Sequence, residues 1–137
     1  MNRTPSENTK PVFLYAGTPT AAFESAELDC TGFDNGHATF ILTAETGAAA
    51  AVTAIKVQEA ATTGGGLTDI TDATFTNIST ANDNASQFVS VQLRGTQKFL
   101  KVVGIGGGSN NSSISVVAVL AGPRDTALCD ATWVAEV

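Results

Sequence analysis

Residues 86–124 read SQFVSVQL-RGTQ-KFLKVVGI-GGGSNNSS-ISVVAVLA-GPR, three short alternating runs separated by turn-forming residues. In Ser86–Leu93, Val89, Val91 and Leu93 share one face, and Ser90 and Gln92 share the other with Phe88. In Lys98–Ile105, Phe99, Val103 and Ile105 fall on one side, with Lys101 among them. In Ser113–Leu120, Ile114, Val116, Ala118 and Leu120 line up at period two. Successive side chains of a strand point to opposite faces, so this spacing describes half-buried antiparallel strands. The reading is of one sheet written three times, with Gly106–Asn111 as the hairpin tip between its last two strands.

The same vocabulary extends towards the N-terminus. Val12–Ala16 is a short strand candidate stopped by Gly17 and Pro19. Ala22–Cys30 alternates, with Ala22, Ala26, Leu28 and Cys30 opposite Ser25, Glu27 and Asp29. Asp34-Asn35-Gly36 makes a turn, Asn-Gly being a favoured hairpin pair. In Ala38–Thr43, Phe40 and Leu42 oppose Ile41; in Val52–Ala60, Ile55 and Val57 face away from Lys56 and Gln58. Glu45–Ala51 holds four consecutive alanines, but with Gly47 and so few residues it reads as a loop. Two short Thr-rich pieces lie between Leu67 and Ile78, and Ala81–Ala85 is a turn. About eight strands at intervals of roughly ten residues specify an all-β fold, an antiparallel β-sandwich of jelly-roll or immunoglobulin-like type. The expected organisation is an N-terminal arm with a first short strand (1–20), the sandwich (21–124) and a C-terminal tail (125–137).

Composition narrows the function classes. A chain of 137 residues suits one domain with a core of its own. The net charge of -6, with seven basic residues scattered from Arg3 to Arg124, argues against nucleic acid, because phosphate neutralisation needs clustered cations. No apolar run approaches the eighteen or so residues of a membrane span. Met1–Lys10 is polar and lacks the apolar centre of a secretory signal, so synthesis in a cytoplasm is expected. Cys30 and Cys129 lie far apart and fit no metal spacing; they read as buried thiols, with a disulfide as the alternative.

Catalytic readings fail on residues. The single histidine, His37, could meet Cys30 across a turn, but no orienting group or oxyanion hole is evident. Three His and Cys residues in total are too few for zinc with any margin. Gly104–Gly108 lacks the Lys-Ser/Thr of a phosphate loop. Asp69, Asp72, Asn82, Asp83 and Asn84 match no calcium-loop spacing and are ordinary turn formers. No cofactor or metal is expected, and the chain is not read as an enzyme. A carbohydrate-binding module would stack sugars on exposed rings; Tyr15 and Trp133 are the only non-Phe aromatics, and most of the seven phenylalanines read as core.

One resemblance adds to this. Thr31-Gly32-Phe33, the strand Ala54-Ile55-Lys56-Val57-Gln58-Glu59, a Gly-rich loop and Leu67-Thr68-Asp69-Ile70 follow one another in order. Leu93-Arg94-Gly95, Lys98-Phe99-Leu100-Lys101-Val102 and Gly122-Pro123-Arg124 come after them. This order, from about Asp29 to Arg124, resembles a group of small tailed-phage virion proteins of the head decoration or cement type. The resemblance implies a structural subunit on the capsid surface of a virion, made in the bacterial host cytoplasm. Its implied partners are the major capsid protein and sister subunits in a homo-oligomer, a trimer. A tail or head–tail joining protein is the alternative. Arg94, Lys98, Lys101 and Arg124 are the candidates for polar interface contacts, with Trp133 and Tyr15 as aromatic ones.

Overall fold

A computed structural model describes residues 9–45, 52–110 and 112–122. Among the described residues nine strands account for the regular structure: β1 (Thr9–Gly17), β2 (Ala22–Glu24), β3 (Leu28–Asp29), β4 (His37–Ala44), β5 (Val52–Ala60), β6 (Thr68–Thr74), β7 (Ala85–Gln92), β8 (Phe99–Gly106) and β9 (Ile114–Ala121). They form two antiparallel sheets, one in the order β1-β9-β4-β7, the other in the order β2-β8-β5-β6 with β3 also on β8. Among the described residues no helix is long and apolar enough to cross a membrane.

The pairing has a simple rule. The first strand pairs with the last (β1 with β9), the second with the second-last (β2 and β3 with β8), then β4 with β7 and β5 with β6. Rolling that doubled ribbon sets β4 beside β9 and β5 beside β8. The result is a jelly roll, one of the two sandwich types expected from the sequence.

This topology corrects the assignment of partners. The runs in residues 86–124 are all strands, but β7 and β9 lie in one sheet and β8 in the other. Gly106–Asn111 is therefore not a hairpin tip, because β8 and β9 on either side of it lie in different sheets. The same holds for Asn35-Gly36, which lies between β3 and β4 of opposite sheets. Gly36 is required for room: a Cβ there would sit 1.9 Å from the Ala121 carbonyl oxygen. The left-handed glycine of this connection is Gly32, at φ 89°, in the preceding turn, which Phe33 N–H closes onto Cys30 O. The hairpin between sequence neighbours is β5–β6, whose loop turns at Gly64 (φ 68°) with Gly65 N–H donating to Thr62 O.

Inward residues follow period two where strands are regular. On β9, Ile114, Val116, Ala118 and Leu120 are buried, and on β4 Ala38, Phe40, Leu42 and Ala44 face them. On β8 the inward side is Leu100, Val102 and Gly104, so Phe99, Lys101, Val103 and Ile105 point out. Gly104 is opposite Phe23, whose ring occupies the place a Cβ would need, at 2.7 Å.

Bulges reset the parity elsewhere. On β1 the register shifts between Phe13 and Tyr15, turning Leu14 and Tyr15 inward, and Tyr15 packs on Phe23 at 4.8 Å between ring centroids. Between β2 and β3, Ser25 breaks the strand: its hydroxyl donates to Ala26 O and accepts from Val102 N–H, so Phe23 and Leu28 are both buried across an odd spacing. On β5, Ala54 adopts φ 52° at a bulge, and Val52 and Ile55 are both buried. The two Thr-rich pieces of the sequence reading become one strand, β6, followed by Ile78 bridged to Val52.

Candidate functional site

The two outer faces of the sandwich differ in chemistry. On the β2-β8-β5-β6 sheet, Lys101 Nζ donates to Glu24 at 2.9 Å and Lys56 Nζ to Asp69 at 2.7 Å. Gln58 also donates to Asp69, at 2.6 Å, and these bonds from Gln58 and then Lys56 hold the Asp69 carboxyl below its usual range. Val103 and Ile105 lie among these pairs, Ile105 half exposed. This is a solvated, salt-bridged face, and such exposed pairs contribute little to stability.

The outer face of the β1-β9-β4-β7 sheet carries no such pairs. Its central row crosses all four strands as Phe13, Val117, Ile41 and Phe88, each opposite the next in register. Phe13 is 64% exposed and Phe88 68%. The row on one side is Pro11, Val119, Thr39 and Ser90; on the other it is Ala16, Ser115, Thr43 and Ser86. Thr39 and Ser90 hydroxyls pair at 2.9 Å, and those of Thr43 and Ser86 at 3.1 Å. An end row brings His37 between Ala121 and Gln92. None of these outward positions holds Asp, Glu, Lys or Arg.

The residues singled out from sequence are dispersed. Lys101 is committed to Glu24. Lys98 sits 5.5 Å above the Phe99 ring and, with Lys10, lies close enough to Asp29 to act on its charge. Burial pushes the Asp29 carboxyl up, but the Thr31 hydroxyl and amide bonds and these two lysines bring it below its usual range overall. Arg94 is exposed in the turn after β7, beside Gly95 at φ 88°. Tyr15 is half-buried against Phe23, and that burial raises its hydroxyl pKa. Arg124, Trp133 and Cys129 lie outside the described residues, as do the start of the N-terminal arm and the tail after Gly122.

The remaining chemical candidates take structural positions. Cys30 belongs to the core, with its thiol towards Leu28 O; desolvation, helped by Asp29, pushes its pKa up to about 12. It is a protonated, inert thiol at neutral pH. His37 is exposed at the start of β4. Asn82 Oδ1 accepts from the Ser79 amide, closing a turn, and Asp69 is held as described. Among the described residues no three His, Cys, Asp or Glu gather as metal ligands.

The apolar row was missed from sequence because each phenylalanine in a strand looks like core. Phe13 and Phe88 are not core, whereas Phe23, Phe33, Phe40 and Phe75 are. The available signal was parity: Phe88 shares its face with Ser86, Ser90 and Gln92, and Ile41 with Thr39 and Thr43.

No protein-family model matches the chain, and no curated protein matches it. Among solved structures, it is similar to the SPBc2 prophage-derived protein YomS, with a TM-score of 0.52 and 12% identity. The alignment covers 84% of this chain and 94% of that one. At this identity the likeness is one of fold.

Proposed function

We propose that this chain is a structural protein of a tailed-phage particle, a head decoration or cement subunit that docks on the major capsid protein. The observation that carries the phage part of this reading is the fold shared with a prophage-derived protein along most of both chains. The motif order from about Asp29 to Arg124 supports the reading from the sequence alone. A non-catalytic role agrees with the placement of Cys30 in the core and with the structural hydrogen bonds of Ser25, Asn110 and Ser112, the buried polar residues.

A cement subunit works by mass action: a ligand that binds the assembled shell and not its precursors stabilises that state. The rolled core provides a rigid body for this. Polar contacts to the shell fall to exposed cations outside the charge-free face, Lys98 and Arg94 at one end of the sandwich, while Lys101 on the other sheet is half-buried and paired with Glu24.

Copy number in purified particles tests the proposal. Copies in the hundreds, placed on the shell by cryo-electron microscopy, are expected. A handful per particle at the tail or portal would replace the shell reading with a tail or head–tail joining role, and absence from the particle would end both.

A further inference from the structure

We propose that the outer face of the β1-β9-β4-β7 sheet is a self-docking surface, where two copies of this chain pack sheet against sheet. The inference stands apart from the virion reading and concerns the free protein.

The face has the layout of an interface: an apolar centre, polar flanks and no charge at its core. Phe13 and Phe88 stand at the two ends of the central row, with Val117 and Ile41 between them. Covering this row removes two exposed phenyl rings from water in each copy. The flanking hydroxyls of Thr39, Ser90, Thr43 and Ser86 are paired across β4 and β7, so a covering surface need not supply partners for these four. A desolvated hydroxyl with its bond already made avoids most of the usual penalty.

Charge selects the occupant. The chain carries a net charge of -6, so copies repel one another in most orientations. A partner recognised through charge would be matched by the salt-bridged sheet, where Lys56, Lys101, Glu24 and Asp69 lie. The face without Asp, Glu, Lys or Arg at its outward positions fits a surface that is equally uncharged, flat and apolar along its middle, and a second copy presents one. Contact here keeps the acidic groups of both copies at the periphery.

The size suffices. Four strands about 4.8 Å apart and four rows about 6.8 Å apart give a face of about 19 by 27 Å, or ~500 Å² in projection. Two such faces bury ~1,000 Å², the lower bound of specific interfaces, before side-chain relief is counted. Sandwich sheets pack face to face at about 10 Å with interdigitated side chains, a geometry that phenyl rings fill well. One flat face meeting its own copy is isologous and closes at two copies; the trimer expected from the sequence would have to use another surface.

The test is sedimentation equilibrium of the full chain with two single variants. Phe88→Asp places a carboxylate in the row, and Ile105→Asp places one on the opposite sheet at a similarly exposed position. The wild type is expected to be a dimer at micromolar concentration. Phe88→Asp should weaken it at least about 100-fold, since like charges would meet in a desolvated contact. Ile105→Asp should leave it unchanged, and both variants should keep the wild-type circular dichroism. A monomeric wild type overturns the proposal, as does a dimer or trimer that survives Phe88→Asp. Loss of the dimer in Ile105→Asp alone would overturn it equally. None of these results bears on particle copy number, so this inference and the virion reading fail separately.

Discussion

Gly106 and Gly108 belong to one run, Gly106-Gly107-Gly108, and have opposite structural roles. Gly106 ends β8, pairs with Val52, and its N–H donates to Ala21 O at 2.9 Å. A Cβ there would lie 2.0 Å from the Pro19 carbonyl oxygen and 2.4 Å from its carbon, whereas ordinary contact begins at 3.4 Å. The Pro19 segment would have to retreat by about 1.4 Å, the difference between those two oxygen distances. That carbonyl also accepts from Asn110 Nδ2 at 2.9 Å in a buried position, so retreat breaks this bond and leaves the amide only its 3.1 Å bond to Ser112 O. Overpacking against backbone with the loss of a buried bond gives about 3–5 kcal/mol for Gly106→Ala. At Gly108 a Cβ meets nothing within 4 Å and the backbone is not left-handed. Gly108→Ala should be neutral, or stabilising by about 0.5 kcal/mol through the unfolded chain.

Urea unfolding with a common m-value measures both, because a midpoint change at constant slope is a stability change. The thermal midpoint of Gly106→Ala should fall by about 10 °C or more. If Gly106→Ala stays within about 1 kcal/mol of wild type, the close approach of Pro19 is not a constraint on this fold. If Gly108→Ala loses as much, the run acts through flexibility and the steric reasoning is wrong.

Three further outcomes follow from burial and bonding. Ser25→Ala should cost about 1–3 kcal/mol by leaving Val102 N–H without its hydroxyl partner, and the neighbouring Glu24→Gln less than about 1 kcal/mol despite its 2.9 Å ion pair; equal losses in chemical denaturation would refute the ranking. Leu100→Ala should cost about 2–5 kcal/mol and Ile105→Ala under about 1 kcal/mol, since the first is fully buried on β8 and the second points out; a reversed order would mean the faces of β8 are exchanged. In a Cys129→Ser background, stability should fall above pH 9, because the unfolded thiol ionises near 9.0 while the folded one holds its proton to about 12. The folded state then binds more protons, so unfolding is favoured by about 1.4 kcal/mol per pH unit in that window. Replacing Cys30 by Ala as well should remove this part of the slope, and an unchanged slope would show that the thiol ionises in place.

Strand existence was legible because alternation is a property of each run alone. Ile114 to Leu120 and Phe40 to Leu42 needed no knowledge of their neighbours. Partners were not legible, because a jelly roll pairs each strand with one far along the chain, and β1 with β9 is the extreme case. A Gly-rich connection or an Asn-Gly pair marks a change of direction, and a chain crossing between sheets changes direction too. Parity was legible up to a bulge and misleading past it: Ser25, Ala54 and the Phe13/Tyr15 shift each depend on bonds or packing from a distant part of the chain.

The same reasoning explains why the charge-free face could not be read from sequence while the salt-bridged one left traces. A Lys or Glu inside an alternating run announces a solvated side wherever it stands, as Lys56 and Lys101 do. An uncharged face announces itself through what is missing from four segments at once, and those segments span residues 9–17, 37–44, 85–92 and 114–121. Within any one of them a lone Phe or Ile among hydroxyl residues is ordinary, because much of any protein surface is apolar. Register is what converts four ordinary residues into a continuous row, by setting Phe13 opposite Val117, Val117 opposite Ile41 and Ile41 opposite Phe88. The continuous row therefore exists only in this strand order: a different pairing of the same nine strands would disperse it.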